Sequence, residues 1–61
     1  QYLLARRVNH ARHLLRTTSQ AFGVIALECG FASASHFNNR FRQVVGATPG
    51  EYRRALGRMP L

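Results

Sequence analysis

The chain has 61 residues, 46% of them hydrophobic, and nine basic residues against two acidic ones give it a formal net charge of +7. This length excludes more than one small domain with a thin core, and no apolar run of the sequence approaches the ~20 residues that cross a bilayer, so we expect a soluble chain. A single cysteine excludes an intrachain disulfide, and the charge favours a polyanionic partner.

The first predicted element is an amphipathic helix over residues 1–16. Apolar residues recur on one of its faces at helical spacing, at Leu4, Val8, Ala11, Leu14 and Leu15. The sequence begins without Met, inside this helical pattern. We therefore expect the chain to be a fragment that continues an upstream portion of a longer protein.

A helix-turn-helix is predicted over residues 19–45. Ser19 is the expected cap of its first helix, and Gly30 is the expected end because glycine accepts a positive φ without a Cβ clash. Ser33 follows at a position where its hydroxyl can cap the next helix. Such a turn aims the second helix of the motif outward, toward a partner.

The third helix of the chain is predicted from residue 34 to residue 45, and Gly46 is its expected stop. The apolar positions expected to face inward are Phe37, Phe41, Val44 and Val45. This helix is the candidate recognition helix of the motif.

A short closing helix is predicted over residues 48–57. Thr48 is its expected cap, Pro49 occupies the first helical position where a missing N–H costs nothing, and Glu51 completes a capping box. No segment shows strand periodicity, so the fold class is all-α. Residues 1–61 are therefore expected to form a single helix-turn-helix subdomain.

The joint spacing of these residues resembles one family, the AraC/XylS transcription regulators, and specifically the second of the two helix-turn-helix units in their DNA-binding domain. The matching residues are Arg7, Ala11, Leu14, Leu15, Ile25, Ala26, Gly30, Phe31, Ser33, Phe37, Phe41, Gly46, Thr48, Pro49, Tyr52 and Arg53. The resemblance implies a homeodomain-like three-helix core with a preceding linker helix and a short C-terminal helix. It also implies a bacterial, cytoplasmic protein at the nucleoid, with an upstream helix-turn-helix, an effector domain and contacts to RNA polymerase outside this chain.

One departure from the family concerns the residues after Phe37. Family members often carry a small polar residue and then Arg at this point, whereas this chain has Asn38 and Asn39 and places Arg40 one position later. Successive helix positions are rotated by ~100°, so Arg40 does not inherit the role of that Arg. Either this unit reads a different site, or it grips mainly the DNA backbone.

Five residues lie nearest the bases if the third helix enters the major groove: Ala34, Ser35, His36, Asn38 and Asn39. Asparagine pairs bidentately with adenine, serine contacts either kind of base, and an alanine methyl suits a thymine methyl. The alternative for the two asparagines is a solvated face that contacts no base.

Five further residues are expected to contact DNA phosphates: Ser33, Arg40, Arg42, Arg12 and Arg16. Every basic residue of the chain is arginine, whose planar fork of donors suits phosphate oxygens. Arg7 has two open interpretations, which are a DNA contact and an ion pair with Glu28 or with a carboxylate outside the chain. Arg53 is expected to brace the closing helix rather than to contact DNA.

Catalysis and metal binding are not expected. The candidate metal ligands His10, His13, His36 and Cys29 lack a carboxylate or second cysteine that would complete a tight cluster. Two isolated glutamates and no aspartate provide no pairing of nucleophile and base. We therefore expect no enzyme, no metal site and no cofactor.

These patterns predict sequence-specific binding of double-stranded DNA with residues 34–45 in the major groove, and the resemblance implies that the chain is the C-terminal part of an AraC-type regulator. The alternative is an Arg-rich protein-interaction or membrane-surface module without sequence-specific DNA binding, which the amphipathic residues 2–16 support. The capped turns and the spaced phenylalanines favour a folded DNA-binding unit over a lone interfacial helix, so no membrane partner is expected.

Overall fold

The computed structural model describes residues 2–58 and contains four helices within them. These are α1 (Tyr2–Thr17), α2 (Phe22–Glu28), α3 (Ala34–Val45) and α4 (Pro49–Arg58), and no strand occurs in this part of the chain. Helix α1 contacts each of the other three, and α3 packs against both α2 and α4. The predicted all-α fold with a helix-turn-helix is confirmed.

The core lies where one face of α1 meets α2 and α3. Its buried side chains are Val8, Ala11, Leu15, Ile25, Ala26, Cys29, Phe31, Phe37 and Phe41. Four aromatic rings form a continuous row through it, with centroid separations of 5.1 Å for Phe31 and Phe37, 5.6 Å for Phe37 and Phe41, and 5.5 Å for Phe41 and Tyr52. Because aromatic pairs at these distances attract one another and bury large areas, this row fixes α3 against the rest of the fold.

The bounds of α3 agree with the prediction at both ends. Ser33 caps its N-terminus by accepting a hydrogen bond from the backbone N–H of His36 at 3.1 Å. Gly46 ends it in the left-handed conformation, with φ of 90°, and donates its N–H to the carbonyl of Arg42. The turn before α3 contains Gly30 at φ of 87°, as its composition predicts.

The predicted start of α2 is wrong. The helix begins at Phe22, and its N-cap is Ala21, whose side chain offers no capping bond, rather than Ser19. The Thr18 hydroxyl explains the difference, since it donates to the carbonyl of Leu14 at 2.7 Å and accepts from the N–H of Gln20 at 3.3 Å. These bonds prolong the end of α1 and leave the next residues outside both helices, so the connection is longer than the sequence pattern indicates.

Val44 also departs from the prediction. Its side chain is 48% exposed, whereas Val45 packs against the buried core. Phe37, Phe41 and Val45 follow one another at intervals of four residues, so they share the inward face of α3 and leave Val44 at its margin.

Arg53 attaches α4 to the connection between α1 and α2. Its Nη1 donates to the carbonyl of Gln20 at 2.8 Å and its Nη2 donates to the carbonyl of Thr18 at 3.1 Å. Its guanidinium also lies 5.1 Å from the ring centroid of Phe22. Two charged hydrogen bonds and a cation–π contact therefore brace the closing helix, as the sequence predicts.

The capping box of α4 is present as predicted. The N–H of Glu51 donates to the hydroxyl of Thr48 at 3.1 Å, and the N–H of Thr48 donates to Oε1 of Glu51 at 2.9 Å. These bonds satisfy backbone donors that the helix itself leaves without acceptors.

The capping box makes the stability of the chain pH-dependent. The pKa of Glu51 lies below its ordinary value of 4.5, first because of the hydrogen bond from the Thr48 backbone and second because of the hydrogen bond with the Thr48 side chain. The positive charges of Arg42 and Arg54 lower this pKa further. Because the folded-state pKa is the lower one, the stabilisation is complete above the unfolded pKa and is lost as the pH falls through the folded pKa. We expect Glu51→Gln to lower the melting temperature near neutral pH. The difference in melting temperature between this variant and the parent, measured by circular dichroism, should shrink as the pH is lowered. A difference that grows in acid would contradict this role of Glu51.

Candidate nucleic-acid interface

The outward face of α3 carries short polar side chains in its first half and arginines in its second half. Phe37 and Phe41 hold the opposite face in the core. Ser35, Asn39 and Arg42 follow at helical intervals and form one exposed outward row. Short side chains allow the helix to come close to a surface that carries hydrogen-bonding groups.

The other predicted base-contact residues lie beside this row. Ala34 and Asn38 are exposed and stand four residues apart on one flank. His36 is half-buried on the other flank and is the least exposed of the five predicted base-contact residues. The structure therefore brings all five to one end of α3, and their contacts with bases stay predictions.

His36 is held by its neighbours. Its ring meets Phe31 edge to face at a centroid distance of 5.9 Å, and its Nε2 accepts a hydrogen bond from Nε of Arg40 at 3.3 Å. Its Nδ1 is buried and has no hydrogen-bond partner among residues 2–58.

Arg40 and Arg42 are both exposed but have different surroundings. Arg40 is fixed on α3 by His36 and by a second bond, from its Nη1 to Oε1 of Gln43 at 3.1 Å. Arg42 lies close enough to Glu51 to help lower the pKa of that carboxyl. Sequence reasoning missed Gln43, although its position three residues after Arg40 is a signal for such a contact.

The remaining predicted phosphate contacts are Ser33, Arg12 and Arg16. Ser33 uses its oxygen as an acceptor for the helix cap, which leaves its hydroxyl hydrogen able to donate outward. Arg12 lies across Tyr52 of α4, with Nε 3.4 Å from the phenol oxygen and the guanidinium 5.7 Å from the ring centroid. Arg16 is exposed in the last turn of α1. The structure thus places Arg12 at the α1–α4 junction.

The side-chain carboxylates of Glu28 and Glu51 are engaged away from Arg7. Oε1 of Glu28 accepts from Nε2 of Gln20 at 3.1 Å, so the structure shows Glu28 bound to Gln20 instead of paired with Arg7. Glu51 belongs to the capping box of α4. Arg7 instead lies along the turn before α3, where a Cβ added to Gly30 would come within 3.2 Å of its Nε.

Three further features of residues 2–58 bear on metal binding, thiol chemistry and membrane insertion. No group of three His, Cys, Asp or Glu side chains in positions 2–58 is arranged to hold a metal ion. Cys29 is buried, and burial and the neighbouring Glu28 raise the pKa of its thiol. None of the four helices is both long enough and apolar enough to cross a membrane.

Comparison with known proteins gives a consistent result. A family model described as a helix-turn-helix domain matches residues 1–55. The HTH-type transcriptional regulator ArgR of Pseudomonas aeruginosa is 45% identical over 53 residues, which are 87% of this chain and 16% of that protein. The melibiose operon regulatory protein of Escherichia coli K12 is 44% identical over 54 residues, 88% of this chain and 18% of its own.

A third relative, the HTH-type transcriptional activator RhaR of Klebsiella pneumoniae, is 38% identical over 52 residues, 85% of this chain and 18% of its own. The chain therefore spans less than a fifth of the length of these three relatives. No solved structure matches it.

Proposed function

Because the chain belongs to the AraC/XylS family of helix-turn-helix transcription regulators, we propose that it binds double-stranded DNA sequence-specifically with α3 in the major groove. The observation that carries this proposal is the outward row of α3, in which Ser35 and Asn39 precede an exposed arginine at residue 42. A rigid helix with short polar side chains on a strongly basic chain fits the width and the chemistry of that groove.

Base reading is assigned to the first half of α3. Asn38 and Asn39 would each pair with the N6 and N7 groups of an adenine, and Ser35 would contact either kind of base. Ala34 would meet a thymine methyl. His36, which is half-buried and accepts a hydrogen bond from Arg40, would contribute through the exposed part of its side chain.

Contacts with the DNA backbone are assigned to residues around the first half of α3. Ser33 and the exposed N–H groups of the first turn of α3 would bind one phosphate, and Arg40 and Arg42 would bind others. Arg12 and Arg16 would extend the basic surface along α1. These contacts position the helix on the duplex and carry no sequence information of their own.

The rest of the proposal concerns the protein of which this chain is a part. We propose that the chain is the second helix-turn-helix unit of a bacterial cytoplasmic regulator whose upstream helix-turn-helix reads an adjacent site. An effector domain and a contact with RNA polymerase would lie outside residues 1–61. The share of each relative that the chain covers leaves ample length for these parts.

Salt dependence tests the electrostatic part of the proposal. If four phosphates are neutralised, the logarithm of the association constant should fall against the logarithm of salt concentration with a slope of about −3.6, from ~0.9 for each phosphate. The double variant Arg40→Ala, Arg42→Ala should lose about 1.8 of that slope. Arg54→Ala, which removes an exposed charge from α4, is the matched control. Fluorescence anisotropy with randomised duplex DNA measures all three, and salt-independent binding would refute the proposal.

A further inference from the structure

A cleft of ≈ 300 Å³ lies between the first turns of α1 and the start of α3. Its lining residues are Leu4, Arg7, Phe31, His36 and Arg40. Two arginines and a histidine supply its polar groups, and the apolar members Leu4 and Phe31 form its floor next to the core. A concave site that combines an apolar wall with two guanidinium groups and no carboxylate suits an anion.

No side-chain carboxylate among residues 2–58 neutralises the positive charge of the cleft. Glu28 and Glu51 are the two acidic residues of the sequence, and their carboxylates bind Gln20 and Thr48. The side chain of Arg7 extends over Gly30. A Cβ added to Gly30 would lie 3.2 Å from Nε and 3.6 Å from Cζ of Arg7. The absence of a side chain on Gly30 therefore makes room for the guanidinium beside the α2–α3 turn.

Arg40 enters the cleft from the other side in a fixed orientation. Its Nε donates to His36 and its Nη1 donates to Gln43, so two of its three nitrogens are oriented by neighbours on α3. The remaining donors of a guanidinium held in this way bind an anion with less loss of side-chain entropy than those of an unrestrained arginine.

We propose that this cleft holds one phosphate group of the DNA backbone, bound between Arg7 and Arg40, with His36 and Gln43 as positioning residues. The inference rests on the proposed function, since it names a phosphate beside the groove that α3 enters. DNA is the source that the geometry favours because His36 and Arg40 flank the outward row of the same helix, where the backbone borders a groove-bound helix. Arg7 thereby becomes a phosphate-binding residue on α1.

Charge-neutral variants of near-equal length test this site. The double variant Arg7→Met, Arg40→Met should reduce the salt slope for duplex binding by about 0.9, the value of one phosphate, and each single variant should reduce the slope measurably but by no more than that. The affinity loss of the double variant should be smaller than the product of the two single losses, because both residues act on one phosphate. Arg54→Met removes the same charge from an exposed position on α4 and should leave the slope unchanged.

The possible outcomes separate this site from the proposed function. Steep salt-dependent binding by the parent chain, with Arg7→Met behaving like Arg54→Met, would overturn the cleft alone. A parent chain that is folded by circular dichroism but binds no duplex would overturn both.

A measurement on the parent chain removes dependence on the folding of the variants. The Nε–H resonance of Arg7 should shift in nuclear magnetic resonance spectra as duplex DNA is added. A shift that inorganic phosphate produces and duplex DNA does not would exclude the DNA backbone as the occupant.

Discussion

Replacement of Phe37 by alanine is expected to leave most of the chain unfolded at room temperature. Phe37 is 1% exposed and lies between Phe31 and Phe41 in the aromatic row of the core. Truncation of a fully buried phenylalanine costs about 3–5 kcal/mol. A single core in a chain of this size rarely supplies more than about 3–5 kcal/mol of net stability, so the loss consumes nearly all of it.

Val44→Ala is the control for Phe37→Ala because it also truncates an apolar side chain of α3. Val44 is 48% exposed, so its replacement should shift the thermal midpoint only slightly. Thermal melts followed by far-ultraviolet circular dichroism measure both variants. A cooperative transition for Phe37→Ala within a few degrees of the parent would show that the aromatic row does not determine stability.

The elements that sequence reasoning located well are those whose signals are local. Ser33 and Gly46 mark the two ends of α3. The sequence predicts both ends because a hydroxyl cap and a left-handed glycine each act within one helical turn. Thr48 and Glu51 bond reciprocally across three residues, so their pattern also identifies the start of α4.

The start of α2 could not be read in the same way. Ser19 has the composition of a cap, but whether it acts as one depends on bonds that the preceding residue makes. Thr18 bonds back to the carbonyl of Leu14 and forward to Gln20, and this competition delays the helix until Phe22. A local pattern contains no information about which of two neighbouring hydroxyls the backbone will use.

The arginines show the same limit at longer range. Arg12 meets Tyr52 and Arg53 meets the carbonyl of Gln20, and these partners are separated by 40 and 33 residues. Such contacts follow from helix packing rather than from spacing within one helix. The sequence therefore predicts that arginines contact phosphates, while the structure is needed to propose which arginines face one another across a cleft.

The second large effect is expected at Asn38 and Asn39, where replacement by alanine should relax base discrimination. Both side chains are exposed on α3, and Asn39 lies in its outward row. A bidentate contact between asparagine and adenine is worth about 1–3 kcal/mol of discrimination, which is about 5- to 150-fold in relative affinity. The loss should be confined to one or two base pairs for each residue, since a side chain this short reaches no farther.

Asn9→Ala provides the matched control for these variants, because it makes the same chemical change at an exposed position of α1. It should leave affinity and discrimination as they are in the parent. A loss of the same size in Asn9→Ala would indicate a general effect of removing a polar amide rather than a contact made by α3.

The most direct test of sequence reading by α3 is a competition titration against a panel of duplexes. Each duplex differs by one base pair from the site that the parent chain selects from a randomised pool, and the chains compared are the parent, Asn38→Ala, Asn39→Ala and Asn9→Ala. Base reading by α3 predicts that discrimination is lost at one or two base pairs in each of the two α3 variants and retained at the others. A uniform loss of affinity for every duplex would contradict it, because it would make these asparagines contacts to the backbone.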